Sequence, residues 1–377
     1  MRKNITLTGI TTTGTPHLGN YVGAIRPAIR SSDKKDHKSF FFLADYHALI
    51  KNHDRELVYA STKQVAACWL ALGLNTDNVF FYRQSDIPEI AELAWILNCM
   101  TAKGLMNRSH AYKSAVQTNI EKGEDSDLGI TMGLFSYPIL MAADILLFQA
   151  DKVPVGRDQI QHVEMARDIA QRFNHVYGKI FQLPEVAIDE NIDTLVGLDG
   201  KKMSKSYNNT IPIFSSENQL KKNINKIKTN LLEPGQPKNP ADSIVFQFWK
   251  AFASKAQTDE MREKFRNGIS WGEAKSELFE LINEQLLEPR KKYNQLISEP
   301  KKIETLLIEG AERAREISNG VQIEVDKDND KNTVISLREI GDGAITYDDL
   351  KERYLKSLQK VVVNNDEDEE NDIEEEF

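Results

Sequence analysis

The chain has 377 residues, longer than one ordinary compact core, so two domains with an appendage are expected. Its 40% hydrophobic and 28% charged residues are the composition of a water-soluble globular protein, which excludes a membrane-embedded chain and a small disulfide-stapled scaffold. The formal net charge of −9 is concentrated at one end: Asn364 to Phe377 holds nine Asp and Glu and no Lys or Arg, and before it 48 acidic residues balance 48 basic ones.

Met1-Arg2-Lys3 runs directly into the strand-like Ile5-Thr6-Leu7-Thr8, without the apolar run of a signal peptide or the Arg/Ser-rich helix of a transit peptide, so a cytoplasmic location is expected. Gly9-Ile10-Thr11-Thr12-Thr13-Gly14-Thr15-Pro16-His17-Leu18-Gly19-Asn20 joins this strand to a predicted helix. Hydroxyls, glycines and a helix N-terminus offer phosphates N–H donors, close approach and a favourable dipole, although glycine–threonine turns are common. Pro27, two turns into the helix, lacks a backbone donor and is expected to kink or end it.

Strand candidates follow at Ser39–Leu43 and Asn78–Tyr82, with helical patterns at Glu56–Leu72 and Ile90–Met100. Cys68 and Cys99 lie apart in these helices and read as two reduced thiols. The alternation predicts a parallel sheet with a ligand crevice at the C-terminal ends of its strands. Tyr137-Pro138-Ile139-Leu140-Met141-Ala142-Ala143-Asp144 opens a further helix, with Tyr137, Met141 and Asp144 on one stripe. A carboxylate set among Met141, Ala142, Ala143, Ile145 and Leu146 needs a donor or is costly. A strand ending at Val153-Pro154-Val155-Gly156 is followed, after Arg157, by a helical pattern over Asp158–Phe173 that includes Gln159.

Lys201-Lys202-Met203-Ser204-Lys205-Ser206 follows Gly197-Leu198-Asp199-Gly200. Lysines on a loop stabilise charge as it redistributes during displacement at a phosphate. A lysine run is usually only a solvated loop, but Met and interleaved serines are not expected of a generic charged turn. From about Ser215 the pattern becomes Lys- and Glu-rich and helical. After Gly320, alternation at Val321, Ile323 and Val325 and again at Thr333–Leu337, then helical spacing over Tyr347–Val361, predicts a hairpin and a helix. Asp326-Lys327-Asp328-Asn329-Asp330 begins like a calcium loop, yet Lys331 replaces the turn glycine and Leu337 the terminal Glu, so no structural metal is expected. The acidic end has almost nothing apolar to bury and is expected to be disordered.

His17-Leu18-Gly19-Asn20 resembles the first signature of class I aminoacyl-tRNA synthetases, and Lys202-Met203-Ser204-Lys205-Ser206 is similar to the second without a mismatch. Asp45-Tyr46-His47-Ala48-Leu49, the segment from Tyr137 to Leu146, and that from Val153 to His162 resemble the tryptophanyl-tRNA synthetases, a likeness running from the first strand to about Ser318. The resemblance implies an α/β, Rossmann-like catalytic domain over 1–214 and a helical anticodon-binding domain over 215–320; beyond the family's usual end lie an extension of unassigned role over 321–363 and the acidic tail over 364–377.

It further implies that His17, Gly19 and Asn20 hold ATP phosphates with Thr11, Thr12 and Thr13 in the same turn. Gly156 and Asp158 would meet ribose and adenine, and Lys202, Ser204 and Lys205 would close over the phosphates, with Met203 and Ser206 in the same loop. Tyr137 and Gln159 would hold the tryptophan α-amino group, His47, Met141, Val153 and Val155 would shape the pocket, and Asp144 would accept the indole N–H. His17, Asn20, Lys202 and Lys205 would carry catalysis. Magnesium would arrive with ATP, and the partners would be tRNA(Trp), L-tryptophan and a second copy of the chain, with no DNA or membrane. Arg157 departs from the Glu of many relatives, and Thr11-Thr12-Thr13 from a Gln-Pro-Ser-like turn. The alternatives are a tyrosyl-tRNA synthetase, whose pocket must serve a phenol as donor and acceptor, and a non-catalytic RNA-binding paralogue of the same fold.

Overall fold

The computed structural model describes residues 4–32, 37–187, 195–204 and 207–318, and the backbone alone of 321–326 and 334–339. In chain order the strands are β1 (Asn4–Thr11), β2 (His37–Ala44), β3 (Val79–Arg83), β4 (Lys152–Pro154) and β5 (Glu185–Ala187). They form a five-stranded sheet in the order β3-β2-β1-β4-β5. Pairing is parallel in register Ser39↔Val79 to Leu43↔Arg83, Thr6↔Lys152, and Lys152↔Glu185 to Pro154↔Ala187. Parallel neighbours require crossover connections, and these are helical. Ser39 to Ala44 in β2 is buried without interruption, as a strand covered on both faces must be.

The helices are α1 (Leu18–Asn20), α2 (Arg26–Ser32), α3 (Asp45–Ala48), α4 (Arg55–Ala71), α5 (Pro88–Met100), α6 (Lys103–Met106), α7 (His110–Glu121), α8 (Met132–Leu147) and α9 (Ile160–Tyr177). After these come α10 (Glu217–Asn225), α11 (Ile244–Phe252), α12 (Lys255–Arg266), α13 (Trp271–Ser298) and α14 (Pro300–Ser318). Pro27 does not end its helix. A π-helical turn, Tyr21–Ile25, joins α1 to α2 and widens the ladder just before the missing donor, so the helical run continues to Ser32. Tyr137 likewise does not open α8. Thr131 caps it, its hydroxyl accepting from Leu134 N at 3.2 Å, and Pro138 lies inside the helix.

The chain divides into two compact units, 8–83 with 189–308, and 1–7 with 84–188 and 309–377, a division that cuts across the segments 1–214 and 215–320. In the first unit α4 packs against α13, and one core joins Phe41, Trp69, Phe248, Phe265, Leu278 and Ile282. Phe41 and Trp69 meet with ring centroids 5.3 Å apart. Cys68 is buried in this core, which pushes its thiol well above the usual range, while Cys99 is exposed and free. In the second unit α8 packs against α5 and α9, and Arg315 binds Glu89 through Nε and Nη2 at 2.9 and 2.6 Å. β6 (Val321–Asp326) and β7 (Val334–Glu339) pair antiparallel, Val321↔Glu339 to Asp326↔Val334, as the alternating pattern anticipates. The predicted helix over Tyr347–Val361 and the acidic tail lie outside the described residues.

Candidate active site

In the 8–83/189–308 unit, β1 ends at Thr11 and the chain turns through Thr12, buried with its hydroxyl unpartnered among the described residues. A buried hydroxyl at the end of a parallel strand and before a helix N-terminus is suited to an anionic ligand. His17 caps α1 reciprocally with Asn20: Asn20 N donates to His17 Nδ1 at 3.3 Å, and His17 N donates to Asn20 Oδ1 at 3.0 Å. The first signature thus builds its own helix start.

The second signature reaches the first directly. Gly19 N donates to Met203 Sδ at 3.3 Å, and a Cβ on Gly19 would stand 3.2 Å from that sulfur and 3.1 Å from His17 Nδ1. Just beyond the lysine loop, Leu18 N donates to Ile211 O at 2.9 Å and Ile213 N to Pro16 O at 3.1 Å, closing a bridge between His17 and Pro212. Residues nearly two hundred positions apart in the chain are therefore held in register by backbone hydrogen bonds.

The loop base is organised by Asn209, which is buried. Its Oδ1 accepts from Ser204 N at 2.8 Å, and its Nδ2 donates to Asp199 Oδ1 at 2.8 Å and to Lys202 O at 3.1 Å. The amide lies against Gly197, where a Cβ would come within 2.2 Å of Nδ2, so only glycine fits. The hydrogen bond from Asn209, with backbone donation from Lys201, holds the Asp199 carboxyl below its usual range. Lys202 is exposed and Ser204 half-buried; Lys205 and Ser206 lie outside the described residues. Thr11 and Thr13 are exposed, and His47, half-buried on α3, also belongs to this unit.

The other unit brings Tyr137, Met141, Asp144, Val153, Val155 and Gln159 together in one compact body. Asp144 is fully buried on α8 and accepts from Gln84 Nε2 at 2.8 and 3.0 Å. The donor that the sequence requires for this carboxylate is thus present in the protein itself. Gln84 follows the last residue of β3 and is itself fully buried.

Tyr137 Oη lies 2.6 Å from His162 Nε2, and His162 Nδ1 lies 2.9 Å from Gln159 Oε1. The amide oxygen only accepts, so Nδ1 carries the proton; in the neutral ring Nε2 then accepts from the phenol. Burial pushes the Tyr137 hydroxyl above its usual range and keeps it protonated. Val153 is buried in β4, Val155 and Gln159 are half-buried, and Gly156 and Arg157 are exposed in the turn that follows. The side chain of Asp158 lies outside the described residues.

The family of tRNA synthetases class I (W and Y) matches residues 1–287. A tryptophan–tRNA ligase of Neisseria meningitidis is 60% identical over 316 residues, 84% of this chain and 94% of that relative. The chain belongs to the tryptophanyl branch of the class I tRNA synthetases. A tryptophan–tRNA ligase of Pseudomonas aeruginosa is 58% identical over 315 residues, 83% of this chain and 70% of that relative. The solved tryptophanyl-tRNA synthetase of Campylobacter jejuni complexed with ADP and tryptophan superposes with a TM-score of 0.76 at 42% identity, covering 83% of this chain and 96% of that one.

Within this family frame, Gln84, His162 and Asn209 are the residues that sequence reading leaves unassigned. Gln84 and His162 act on Asp144 and Tyr137, 60 and 25 residues away, and Asn209 acts on the loop base 5 to 10 residues before it; none of these roles is announced by the neighbouring sequence. Among the described residues, no three His, Cys, Asp or Glu side chains cluster in a way that could hold a metal, and no helix is long and apolar enough to cross a membrane.

Proposed function

We propose that the chain activates L-tryptophan with ATP, releasing pyrophosphate, and transfers the tryptophanyl group to the 3′-terminal adenosine of tRNA(Trp). The observation that carries the reaction class is the contact of the two signatures, Gly19 N to Met203 Sδ at 3.3 Å with the His17–Pro212 bridge beside it. It supports phosphate binding by Thr11, Thr12, Thr13, His17, Gly19 and Asn20 on the helix start and by Lys202, Ser204 and Lys205 on the loop, with Met203 as the joint and Ser206 in the same loop. Gly156, Arg157 and Asp158 follow β4 and serve the ribose and adenine. Magnesium enters as part of the nucleotide substrate.

The tryptophan carboxylate attacks the α-phosphate in line, the bond from that phosphorus to the bridging oxygen breaks, and pyrophosphate leaves. The ribose hydroxyl of the terminal adenosine then attacks the acyl carbon, and AMP leaves. Charge develops on phosphate oxygens in the first step, where the Lys202 and Lys205 ammonium groups stabilise it more than in the ground state. Tyr137 and Gln159, fixed through His162, orient the α-amino group; Asp144 accepts the indole N–H between Met141, Val153 and Val155. The helical segment 215–320 reads the anticodon with Lys221, Lys222, Lys226 and Lys228 near phosphates, and the enzyme acts as a homodimer in the cytoplasm.

Tryptophan-dependent exchange of pyrophosphate into ATP tests this reading. Exchange with tryptophan and far less with tyrosine is expected; no exchange with any amino acid would leave the RNA-binding paralogue.

A further inference from the structure

The function just proposed gives the indole N–H one partner, Asp144, and assigns nothing to Gln84. Yet Gln84 is as deeply buried as Asp144 and its polar groups are only half used. Its Nε2 spans both carboxylate oxygens, at 2.8 and 3.0 Å, while its Oε1 has no hydrogen-bond partner among the described residues. A buried carbonyl oxygen left unpaired costs free energy, and such an atom in a native site calls for a ligand that supplies a donor. The orientation is dictated by chemistry: a carboxylate only accepts, so the amide must turn its N–H groups to Asp144 and its oxygen away.

The position suits a ligand. Gln84 is the residue immediately after β3, and ligands of open parallel sheets bind beyond the C-terminal ends of strands. Tryptophan carries one side-chain donor and no side-chain acceptor, and a cluster whose donor is already committed to Asp144 offers the side chain only acceptors. A phenol fits such a cluster less well, since its oxygen also seeks a donor, and phenylalanine leaves every acceptor unmade.

We infer that Gln84 is a second specificity-determining residue for tryptophan: its amide N–H holds the Asp144 carboxylate, and its unpaired Oε1 completes an acceptor-only end of the pocket around the indole N–H. The inference rests on the reading of Asp144 as the indole acceptor. It makes the indole N–H a shared donor between two neighbouring residues, so specificity is set by the pair.

The test compares tryptophan with its sulfur isostere, the benzothiophene amino acid in which sulfur replaces the indole N–H, by kcat/KM in pyrophosphate exchange. The full-length wild type is measured beside Gln84→Met, which keeps the length and removes both polar groups. The preference of the wild type for tryptophan over the isostere is expected to fall about tenfold or more in Gln84→Met, because the contact with Oε1 is lost by tryptophan and never made by the isostere, while the Asp144 carboxylate loses the Gln84 amide with either substrate. A merely structural role would slow both substrates alike and leave the ratio unmoved, and that result, in a protein with wild-type circular dichroism, would overturn the inference. Should Gln84→Met not fold, Gln84→Asn keeps the buried polarity and withdraws the amide by one methylene. The same ratio then decides: a fall supports the inference and an unmoved ratio overturns it. A wild type that exchanges pyrophosphate with tryptophan while the variant keeps its ratio removes Gln84 alone. A wild type without such exchange removes the proposed function instead.

Discussion

The two regions to which the proposed chemistry is assigned are assembled by opposite means. In the unit of 8–83 and 189–308, what is joined is backbone: Leu18 N to Ile211 O, Ile213 N to Pro16 O, and Ser204 N and Lys202 O gathered on the Asn209 side chain. In the unit of 1–7, 84–188 and 309–377, side chains meet side chains: Gln84 with Asp144, and Tyr137 with His162 and Gln159. Backbone hydrogen bonds present phosphate-binding groups without regard to which amino acid is being activated. Buried side-chain pairs read one substrate and punish others, because a mismatched ligand leaves a desolvated group without its partner. The first region should therefore govern rate, and the second choice.

The largest effect sharpens the rate side. Lys202→Ala is expected to slow adenylate formation about 100-fold or more, the scale for losing one electrostatic contact made in a transition state, while tryptophan affinity stays near wild type. Lys205→Ala should behave in the same way. Single-turnover kinetics separate the two quantities, and wild-type rates in both variants would remove the loop from catalysis.

Next comes the choice side. Asp144→Ala removes a charged acceptor and strands the Gln84 amide, and a loss of roughly 10- to 100-fold in kcat/KM for tryptophan is expected, with little change for phenylalanine. Asp144→Asn keeps an acceptor oxygen without charge assistance and should fall between.

Asn209→Ala breaks the loop base without touching a lysine side chain. Adenylate formation should drop about tenfold as Ser204 N and Lys202 O lose their shared anchor, with KM for tryptophan unaltered. An equal rise in that KM would blur the distinction between the regions. The smallest effect is expected from removing 364–377, which should change tryptophan activation by less than about twofold, since a segment with nine acidic residues and almost nothing apolar to bury adds little to a core. A large loss would show that the tail is structural.

Much of this arrangement is legible in the chain before it folds. Alternating strand and helix patterns locate β1 to β4, and His17-Leu18-Gly19-Asn20 with Lys202-Met203-Ser204-Lys205-Ser206 mark the rate region, because motifs there depend on local spacing and glycine. Asp144 is noticeable as a carboxylate in an apolar stretch. What escapes is its partner: Gln84 lies 60 residues away, in a segment with no pattern of its own. His162 sits in a quoted motif, yet its link to Tyr137 depends on how α8 packs against α9. Asn209 has no assignment in the sequence, and its role is seen only when its amide lies against Gly197. Pro27 and Pro138 show the converse failure: a local rule predicts a break or a start, and a π-helical turn in one case and a capped earlier start in the other carry the helix past it.

The division between rate and choice is tested most directly by one ratio, kcat/KM for tryptophan over that for phenylalanine in pyrophosphate exchange, measured in wild type, Lys202→Ala and Asp144→Ala. The account predicts that Lys202→Ala lowers both constants by the same factor and leaves the ratio where it was, whereas Asp144→Ala collapses the ratio. An Asp144→Ala enzyme with the wild-type ratio, or a Lys202→Ala enzyme that loses it, would contradict the account.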